Sequence, residues 1–506
     1  MDRRVYLVLC VTVLLVAGVF RFYHLADRSL WLDEARVANY AGQSISENIT
    51  KTRLGSSSPV AYPLLLQAMR QFADSPFAVR SISAVSSLLA IFVILMLVRV
   101  GFEGSGALIA AAILAVSPSQ IRYAQEVREY SLSVLLASLM VFAFLSFRKE
   151  KNGSRIPLLV CLFLAPLVKY GLVFFAVALL AVLAFETWRL HGRTEALRRL
   201  AGATALLATG VIITVALTLR GQWGRGGMSY LDGFFFHGSM FDPGALCQFL
   251  ITKIPEMMTY VTLGHGSAVL LVPVLGLLVL VRPSADRDPK LLFALAGFSV
   301  VIVAAASLAK IYPLGPIRQN LFLAPAIAVA IGGGWVALTT VLPKKCRSFA
   351  TAIFLMVVLA AGTFGVIRAD PYQEIEDIKT VLAGLDDRDP GDVVYVYYGA
   401  WPALRYYKVE GRPDFVFGHC HRDDPSAYLP EFRSLVGEEA SRVWLVFSHA
   451  NPDEMRFLLD ELAPEWILDR VVNARGACLY VGRRIGVPVD DPTPQFPGNE
   501  CDAVGG

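Results

Sequence analysis

Residues 5–35 read VYLVLCVTVLLVAGVFRFYHLADRSLWLDEA, an apolar run that leads into the acidic pair Asp33-Glu34. The run from Val5 to Phe22 is long enough to cross a bilayer, since a spanning helix needs about 20 residues. Trp31 lies where tryptophan often anchors a chain at the membrane interface. Carboxylates gain little from a bilayer, so an acidic pair at its surface indicates chemistry or a bound cation. The stretch predicts an enzyme that acts at the membrane surface on a lipid-borne substrate.

The composition excludes an ordinary soluble enzyme. Of the 506 residues, 55% are apolar and 17% are charged, and the mean hydropathy is +0.54. Globular domains usually carry about 25% charged residues. Met1-Asp2-Arg3-Arg4 and the apolar run could begin a signal peptide, but no small-residue cleavage site follows them. We therefore expect an uncleaved membrane anchor.

Basic residues beside the apolar runs predict a topology, because they accumulate on the cytoplasmic side. Counting them predicts eleven spans, with the N-terminus inside and the C-terminus outside. The predicted spans are 5–22, 79–98, 107–121, 131–147, 157–168, 172–185, 200–219, 268–281, 291–308, 321–342 and 349–367. The run 59–72 is short and contains Arg70, so it is interpreted as an interfacial helix. Reading it as a span would invert every later loop.

Two domains are expected. Residues 1–369 form a transmembrane catalytic domain, with an outer loop at 23–78 that carries interfacial helices and a large outer loop at 220–266. Residues 370–506 have the composition of a soluble domain on the outer face, where strand-like and helical runs alternate as in α/β folds. The strand-like runs are 392–398, 415–417 and 443–447, and the helical runs are 374–385, 403–407, 428–435 and 452–462. The tail after Gly486 is expected to be poorly ordered. The fold class is a polytopic α-helical membrane protein with a C-terminal outer-face α/β domain.

The seven cysteines form no metal-binding spacing, and no Cys-x-x-Cys occurs. Four of them are expected outside the membrane, where an oxidising compartment permits disulfides. These four are Cys247, Cys420, Cys478 and Cys501. They allow three complete pairings, and the sequence does not choose among them.

Polar residues collect at the outer ends of the predicted spans. Besides Asp33 and Glu34, the candidate site residues are Arg53, Tyr62, Gln125, Glu126, Arg128, Tyr130, Lys169, Tyr170 and Arg318. Structural explanations also exist, since the acidic pair could cap a helix and residues 125–129 could form a salt-bridged loop. Lys169 and Arg318 could anchor spans at the interface. A metal between Asp33 and Glu126 is conceivable, but no dense cluster of ligands supports it.

Several of these segments resemble the GT-C glycosyltransferases that use polyprenyl-phosphate sugars, which include protein O-mannosyltransferases and lipid A aminoarabinose transferases. The motif LWLDEA at 30–35 resembles their first outer loop. Residues 58–84 resemble the following interfacial helix and second span, 117–132 the second outer loop, and 392–407 the outer domain of the bacterial branch. Many relatives have a Lys or His where this chain has Ser58, and Arg53 and Lys169 are the candidates to replace it.

The resemblance implies transfer of a sugar from a polyprenyl-phosphate donor to an envelope glycan, lipid or protein at the outer side of a bacterial plasma membrane. Asp33, beside Glu34, is then the catalytic base that takes the proton of the acceptor hydroxyl. The remaining candidates bind substrate and the donor phosphate, whose charge suits Arg and Lys. A single displacement would invert the anomeric centre. No cofactor and no nucleic acid are expected.

Two other functions compete with that of an envelope glycan or lipid transferase. Within the same class, the chain could be a protein O-mannosyltransferase. From another class, it could be a transporter or flippase for a lipid-linked sugar. A transporter should carry charged residues at mid-bilayer, whereas these spans are almost free of charge and no internal repeat is visible. The sequence does not identify the sugar, the acceptor or the length of the carrier.

Overall fold

The structure is a computed structural model that describes residues 3–42, 58–149, 155–219, 229–239, 242–264, 287–407, 414–422 and 424–486. Up to residue 369 these parts are almost entirely helical. Their α-helices are α1 (Arg3–Phe22), α2 (Leu32–Ala41), α3 (Ala61–Arg70), α4 (Pro76–Leu95), α5 (Gly104–Ala115), α6 (Pro118–Ala124), α7 (Tyr130–Lys149), α8 (Ile156–Val168), α9 (Leu172–His191), α10 (Arg193–Thr214), α11 (Pro243–Val261), α12 (Arg287–Leu308), α13 (Ala324–Thr339) and α14 (Lys344–Ala369). A short 3₁₀ helix, Arg318–Leu323, precedes α13.

Within the described residues, eight helices are long and apolar enough to cross a membrane, or nine if a bent pair counts as one span. The protein is therefore a multi-pass membrane protein by the length and composition of its helices. The predicted span 157–168 corresponds to α8, a shorter apolar helix of 13 residues. The predicted span 268–281 lies outside the described residues. The count of eleven therefore stays a prediction.

The predicted span 107–121 is not one helix. It consists of α5 and α6, which meet at an angle of 62°. Ser117-Pro118 explains the break, since a residue before proline avoids the helical conformation and Ser117 instead caps α6. Helix α5 packs closely on α13, where a Cβ on Gly106 would lie 2.9 Å from the carbonyl oxygen of Gly332. Small residues allow such close contact between spans.

The C-terminal part contains a five-stranded sheet with the order β2-β1-β3-β5-β4. Its strands are β1 (Val393–Val396), β2 (Phe415–Phe417), β3 (Arg442–Ser448), β4 (Trp466–Ala474) and β5 (Ala477–Arg484). The strands β2, β1 and β3 are parallel, and β5 is antiparallel to both β3 and β4. Four helices accompany the sheet: α15 (Ile378–Gly384), α16 (Trp401–Tyr406), α17 (Tyr428–Val436) and α18 (Pro452–Leu462).

Two expectations for this part need correction. The predicted helix 374–385 begins only at Ile378, because the Asp377 side chain caps it there and residues 370–377 form a non-helical link from α14. Of the cysteines expected to pair, Cys247 and Cys420 are free and Cys478 is disulfide-bonded. Cys501 and the tail after Gly486 lie outside the described residues.

The sheet packs directly on the segment that carries the acidic pair. Buried residues of α2, such as Ala35 and Ala38, share one hydrophobic cluster with Val394 of β1 and Leu404 of α16. Burial of such surface stabilises by about 25 cal/mol per Å². The N-terminal end of α2 is therefore held between the helices of the membrane part and the sheet.

Candidate active site

The broken span brings the loop 125–129 beside the acidic pair. The buried guanidinium of Arg21 in α1 donates to the carbonyl oxygens of Leu114 and Ala115, at 2.8 and 2.9 Å, where α5 ends. Those carbonyls lack partners within the helix, so an arginine is a suitable cap. Beyond the bend, the backbone N–H of Val127 donates to Glu34 Oε1 at 2.9 Å. The loop and α2 are thus joined directly.

Asp33 occupies the first turn of α2 and contacts two guanidinium groups. Its Oδ2 accepts a hydrogen bond from Arg318 Nη2 at 2.7 Å and lies 3.6 Å from Arg128 Nη1. Both contacts use the same oxygen, so Oδ1 is not engaged by either arginine. The side chain is 19% exposed. Asp33 therefore has a fixed orientation and remains accessible.

Arg128 also connects Asp33 to a second acid, Glu129. Arg128 Nε lies 3.6 Å from Glu129 Oε2, and Lys169 Nζ donates to Glu129 Oε1 at 2.6 Å. Ser58 Oγ donates to Glu129 Oε2 at 2.6 Å. Lys169 and Ser58 thus bind the two oxygens of one buried carboxylate, which places Lys169 near the position where many relatives carry a basic residue. Asp33, Arg128, Glu129, Lys169 and Arg318 are called the ion cluster below.

Aromatic rings line the ion cluster. The ring of buried Tyr130 has Lys169 Nζ 4.2 Å from its centroid, with the guanidinium carbons of Arg128 and Arg318 at 5.5 and 5.8 Å. The guanidinium of Arg318 also lies over the ring of Trp31, at 5.4 Å. Ring faces attract cations at such distances. The rings therefore help to orient Arg128, Lys169 and Arg318 without adding a negative charge that would neutralise them.

Glu34 is placed differently from its neighbour. Arg80 binds it with two hydrogen bonds, Nε to Oε1 at 2.9 Å and Nη2 to Oε2 at 2.7 Å. Arg80 further donates to the carbonyl oxygens of Leu25, Arg28 and Ser29. Glu34 and Arg80 are essentially unexposed. This buried pair holds the segment before Asp33 in shape.

Two further candidates are buried within the fold. The Gln125 side-chain amide donates to the carbonyl oxygens of Phe20, Arg21 and Tyr23 at the end of α1. The Tyr62 hydroxyl lies 3.0 Å from Ser83 Oγ, between α3 and α4. Both side chains are completely buried. Their contacts join helices to one another.

Two of the remaining candidates, Glu126 and Tyr170, lie in the described residues next to members of the ion cluster. Glu126 Oε1 accepts from Arg122 Nε at 3.1 Å, while its buried Oε2 accepts no hydrogen bond from the described residues. Tyr170 is half-buried beside Lys169, at the turn between α8 and α9. Arg53 lies outside the described residues.

The surroundings shift the pKa values of the three acids in different directions. Burial raises the pKa of Asp33, but the guanidiniums of Arg128, Arg318 and Arg36 outweigh burial and bring it below its usual value. Burial also acts on Glu129, where Lys169 and Arg128 hold the pKa well below its usual range. For Glu126, burial and the nearby Glu34 raise the pKa above its usual value. Asp33 and Glu129 are therefore carboxylates at neutral pH.

A cavity of about 830 Å³ lies where α6, α11, the end of α14 and the link 370–377 meet. Its lining includes Arg122, Tyr123, Tyr260 and Glu374. The Tyr260 hydroxyl donates to the Tyr123 hydroxyl at 3.0 Å, and the Tyr123 ring contacts Tyr130 edge-on at 5.1 Å between centroids. Tyr123 therefore both lines the cavity and contacts Tyr130, whose ring faces the cations of the ion cluster.

Metal ligands are not concentrated anywhere in the described ranges, which contain no group of three or more His, Cys, Asp or Glu able to hold an ion. The chemistry available to the site is that of carboxylates, cations and aromatic rings. An ionised carboxylate can accept a proton, and fixed cations can stabilise a developing phosphate charge.

Some residues of this site are not among the candidates that the sequence indicates. Glu129 belongs to the loop 125–129, and Ser58 stands out only through the basic residue that it replaces. Arg80 lies in a run of small and apolar residues, where a lone arginine in a predicted span is itself a signal of a buried partner. The sequence indicates an interfacial anchor at Trp31, and the structure adds that the guanidinium carbon of Arg318 lies over its ring at 5.4 Å.

Comparison with known proteins supports the resemblance. The family model described as dolichyl-phosphate-mannose-protein mannosyltransferase matches residues 57–216. No curated protein sequence matches the chain. Among solved structures, ArnT from Cupriavidus metallidurans bound to undecaprenyl phosphate is similar at 14% identity and a TM-score of 0.56, covering 95% of this chain and 98% of that one.

A second solved structure has a similar fold. The oligosaccharyltransferase of Archaeoglobus fulgidus in the apo form matches at 12% identity and a TM-score of 0.53, covering 97% of this chain and 76% of that one. The chain therefore has the fold of the GT-C superfamily, as the sequence predicts. The family model matches residues 57–216, and both solved structures share the fold of the chain.

Proposed function

We propose that this protein is an integral-membrane glycosyltransferase that moves a sugar from a polyprenyl-phosphate donor to a hydroxyl on an envelope glycan or lipid. The observation that carries the proposal is the contact of Asp33 with Arg318 and Arg128 in a GT-C fold. It puts an ionised carboxylate beside cations suited to a phosphate. Undecaprenyl phosphate bound to the similar ArnT supports a polyprenyl carrier.

The proposed reaction is one displacement at the anomeric carbon. The acceptor hydroxyl oxygen forms a bond to this carbon, and its proton passes to Asp33 Oδ1. The bond from the anomeric carbon to the phosphate oxygen breaks, and its electron pair leaves with the polyprenyl phosphate. Arg318, Arg128 and Lys169 are proposed to bind that phosphate, because charge-assisted hydrogen bonds to phosphate are strong. The configuration of the sugar is inverted.

In this proposal Glu34 does not touch substrate. Its carboxylate is fully used by Arg80 and the N–H of Val127, so we assign it the role of a positioning residue for Asp33. Gln125 and Tyr62 are assigned to the same supporting role. The cavity lined by Arg122 and Tyr260 is proposed as the path of the acceptor, since it adjoins the ion cluster through Tyr123.

A protein hydroxyl is the alternative acceptor. The matching family model describes protein mannosyltransferases, and it matches residues 57–216. Attack by a serine or threonine hydroxyl would use the same base and the same phosphate site. The acceptor thus distinguishes the two functions, whereas the mechanism does not.

The orientation is also part of the proposal. We place the ion cluster and the sheet on the periplasmic or extracellular side of a bacterial plasma membrane, because the basic loops then lie in the cytoplasm. This orientation gives the site access to envelope acceptors.

The test uses the purified full chain with a panel of polyprenyl-phosphate sugars and, separately, cell-envelope glycans, lipids and unfolded protein. Release of polyprenyl phosphate together with a labelled acceptor is expected for one donor and one class of acceptor. Asp33→Asn is the control and should release polyprenyl phosphate at least about 10²-fold more slowly. Movement of a lipid-linked sugar across vesicles without transfer to any acceptor would replace the enzyme by the flippase.

A further inference from the structure

Helix α2, which carries Asp33, begins without a cap from its own segment. The N-cap residue is Trp31, and its side chain makes no capping hydrogen bond. The first N–H groups of a helix have no partner within the helix and need an acceptor. Most helices obtain one from Ser, Thr, Asp or Asn at the N-cap. Here the acceptor comes from far along the chain.

Glu376 supplies it. Its Oε2 accepts a hydrogen bond from the backbone N–H of Leu32, the first residue of α2, at 2.8 Å. Glu376 belongs to the link 370–377 between the last span and the sheet, and it is 1% exposed. A carboxylate at the N-terminus of a helix also interacts favourably with the helix dipole. Asp33 directly follows Leu32, whose backbone N–H is capped.

Glu376 is in turn fixed by the sheet. Its Oε1 lies 2.7 Å from His449 Nδ1, and its Oε2 accepts from Ser448 Oγ at 3.3 Å. Ser448 is the last residue of β3, and His449 adopts a positive φ of 51°, which is uncommon for a non-glycine residue. One carboxylate therefore connects the carboxyl end of a central strand to the start of α2.

Neighbouring contacts hold the loop before α2 but not the helix itself. Glu374 Oε1 accepts from the backbone N–H of Ser29 at 2.6 Å. Lys379 Nζ donates to the carbonyl oxygens of Ala26 and Asp27 at 3.1 and 2.9 Å. Within the described residues, Glu376 is the side chain that caps the backbone of α2 at Leu32, directly before Asp33, whereas Arg80 binds the side chain of Glu34, directly after it.

We infer that Glu376 is a positioning residue for Asp33, through which the C-terminal sheet sets the geometry of the proposed base. The inference rests on the proposed role of Asp33. Capping fixes where α2 begins, and hence the direction in which Asp33 leaves the helix toward Arg318. A misplacement of about 1 Å in such a group can cost about 10²-fold in rate. The sheet thus acts on the reaction without touching the substrate.

The test compares Glu376→Gln with Glu376→Ala in the full-length protein. The Gln side chain keeps an oxygen that can accept from Leu32, so it should retain most of kcat and of the protection of peptide 29–36 against hydrogen exchange. The Ala variant should lose on the order of 10²-fold in kcat, and its peptide should exchange faster. Its affinity for undecaprenyl phosphate and the KM for the donor should remain unchanged.

Controls separate this inference from the proposed function and from a folding defect. Glu461→Ala, an exposed acid on α18, should behave as wild type. If Glu376→Ala does not fold, His449→Ala tests the same connection by removing one of the two side chains that orient Glu376, and its kcat should fall below that of the wild type while Ser448 still holds the carboxylate. If folded Glu376→Ala, or His449→Ala in its place, has the kcat and the hydrogen exchange of the wild type, the inference is overturned, even if Asp33→Asn is inactive. Turnover by Asp33→Asn at the wild-type rate would instead overturn the assignment of Asp33 as the base.

Discussion

Replacing Asp33 by Asn tests the proposed base most directly. Asn has the same shape, and its side-chain oxygen can still accept the hydrogen bond from Arg318 that Asp33 Oδ2 accepts at 2.7 Å. The local structure should therefore persist, with a change in the unfolding temperature no larger than that of a surface substitution. What is lost is a carboxylate able to take the acceptor proton. General-base catalysis contributes about 10²- to 10⁴-fold, so kcat should fall by at least about 10²-fold.

The free energy behind this factor follows from the rate, at about 1.36 kcal/mol for each tenfold change. The expected loss is therefore about 3–5 kcal/mol of transition-state stabilisation. Binding of undecaprenyl phosphate should stay equal or become tighter, because the substitution removes a negative charge that competes with phosphate for Arg318 and Arg128. A loss of turnover without a loss of donor binding is the signature of a base.

The assay measures release of polyprenyl phosphate by the purified variant, beside a thermal unfolding curve and a binding curve for undecaprenyl phosphate. Asp74→Asn is a matched control, since Asp74 pairs with Arg70 at 2.7 Å in a more exposed i,i+4 pair. Such pairs contribute about 0–1 kcal/mol, so this variant should retain full activity. Turnover by Asp33→Asn at the wild-type rate would refute the assignment of the base.

Four further outcomes are expected. Arg318→Ala should weaken undecaprenyl phosphate binding by about tenfold or more. Arg318→Lys should weaken it less, because Lys keeps the positive charge and lacks only the planar fork of Arg. Equal affinity of the Ala variant and the wild type would exclude a phosphate role. Glu34→Gln should destabilise the protein by about 3–5 kcal/mol by leaving buried Arg80 uncompensated, measured as a lower unfolding temperature that the double variant Glu34→Gln/Arg80→Met partly restores. The pKa of Asp33 is lowered, so its carboxylate takes up a proton only at a pH below the usual aspartate pKa of about 3.9. The value of kcat/KM should therefore not fall between neutral pH and about 5 on account of this group. A fall with an apparent pKa near 6 would indicate another base. A reporter fused after Asp370 should be active on the periplasmic side, and activity only in the cytoplasm would mean that the number of spans is wrong by one.

Most of the membrane part could be predicted from the sequence, because lipid imposes simple requirements. A segment in the bilayer must satisfy its backbone internally, so long apolar runs become helices. The exception is the broken third span. Its run is continuously apolar from 107 to 116, and Ser117-Pro118 indicates that the helix stops and restarts there. Hydropathy averaged over the length of a span does not locate such a break, whereas the steric restriction on the residue before a proline does.

Strand β4, and with it the hairpin of β4 and β5, escapes prediction for a different reason. The turn of this hairpin is Arg475-Gly476, with Gly476 at a φ of 62°. The stretch from Trp466 to Ala474 contains charged residues and many half-exposed positions, since β4 lies at the edge of the sheet. An edge strand lacks the continuous apolar pattern by which buried strands are recognised.

The site shows where sequence reasoning stops. Asp33 and Glu34 are adjacent, and the family resemblance treats them as one motif. Successive residues on a helix point in directions about 100° apart, so Asp33 reaches Arg318 while Glu34 reaches Arg80. A pair of acids at consecutive positions thus acquires two different environments, and the partner of each follows only from the packing.

The charges of the ion cluster suit the proposed displacement. Arg128, Lys169 and Arg318 carry three positive charges against the two carboxylates Asp33 and Glu129, which leaves one positive charge for the phosphodiester of the donor. During the proposed reaction the leaving phosphate gains a negative charge while Asp33 loses its own by taking the proton. The total charge therefore stays constant. As the bond breaks, the interaction of Arg318 with the Asp33 carboxylate weakens and its interaction with the phosphate strengthens. Interactions that strengthen only along the reaction are those that accelerate it.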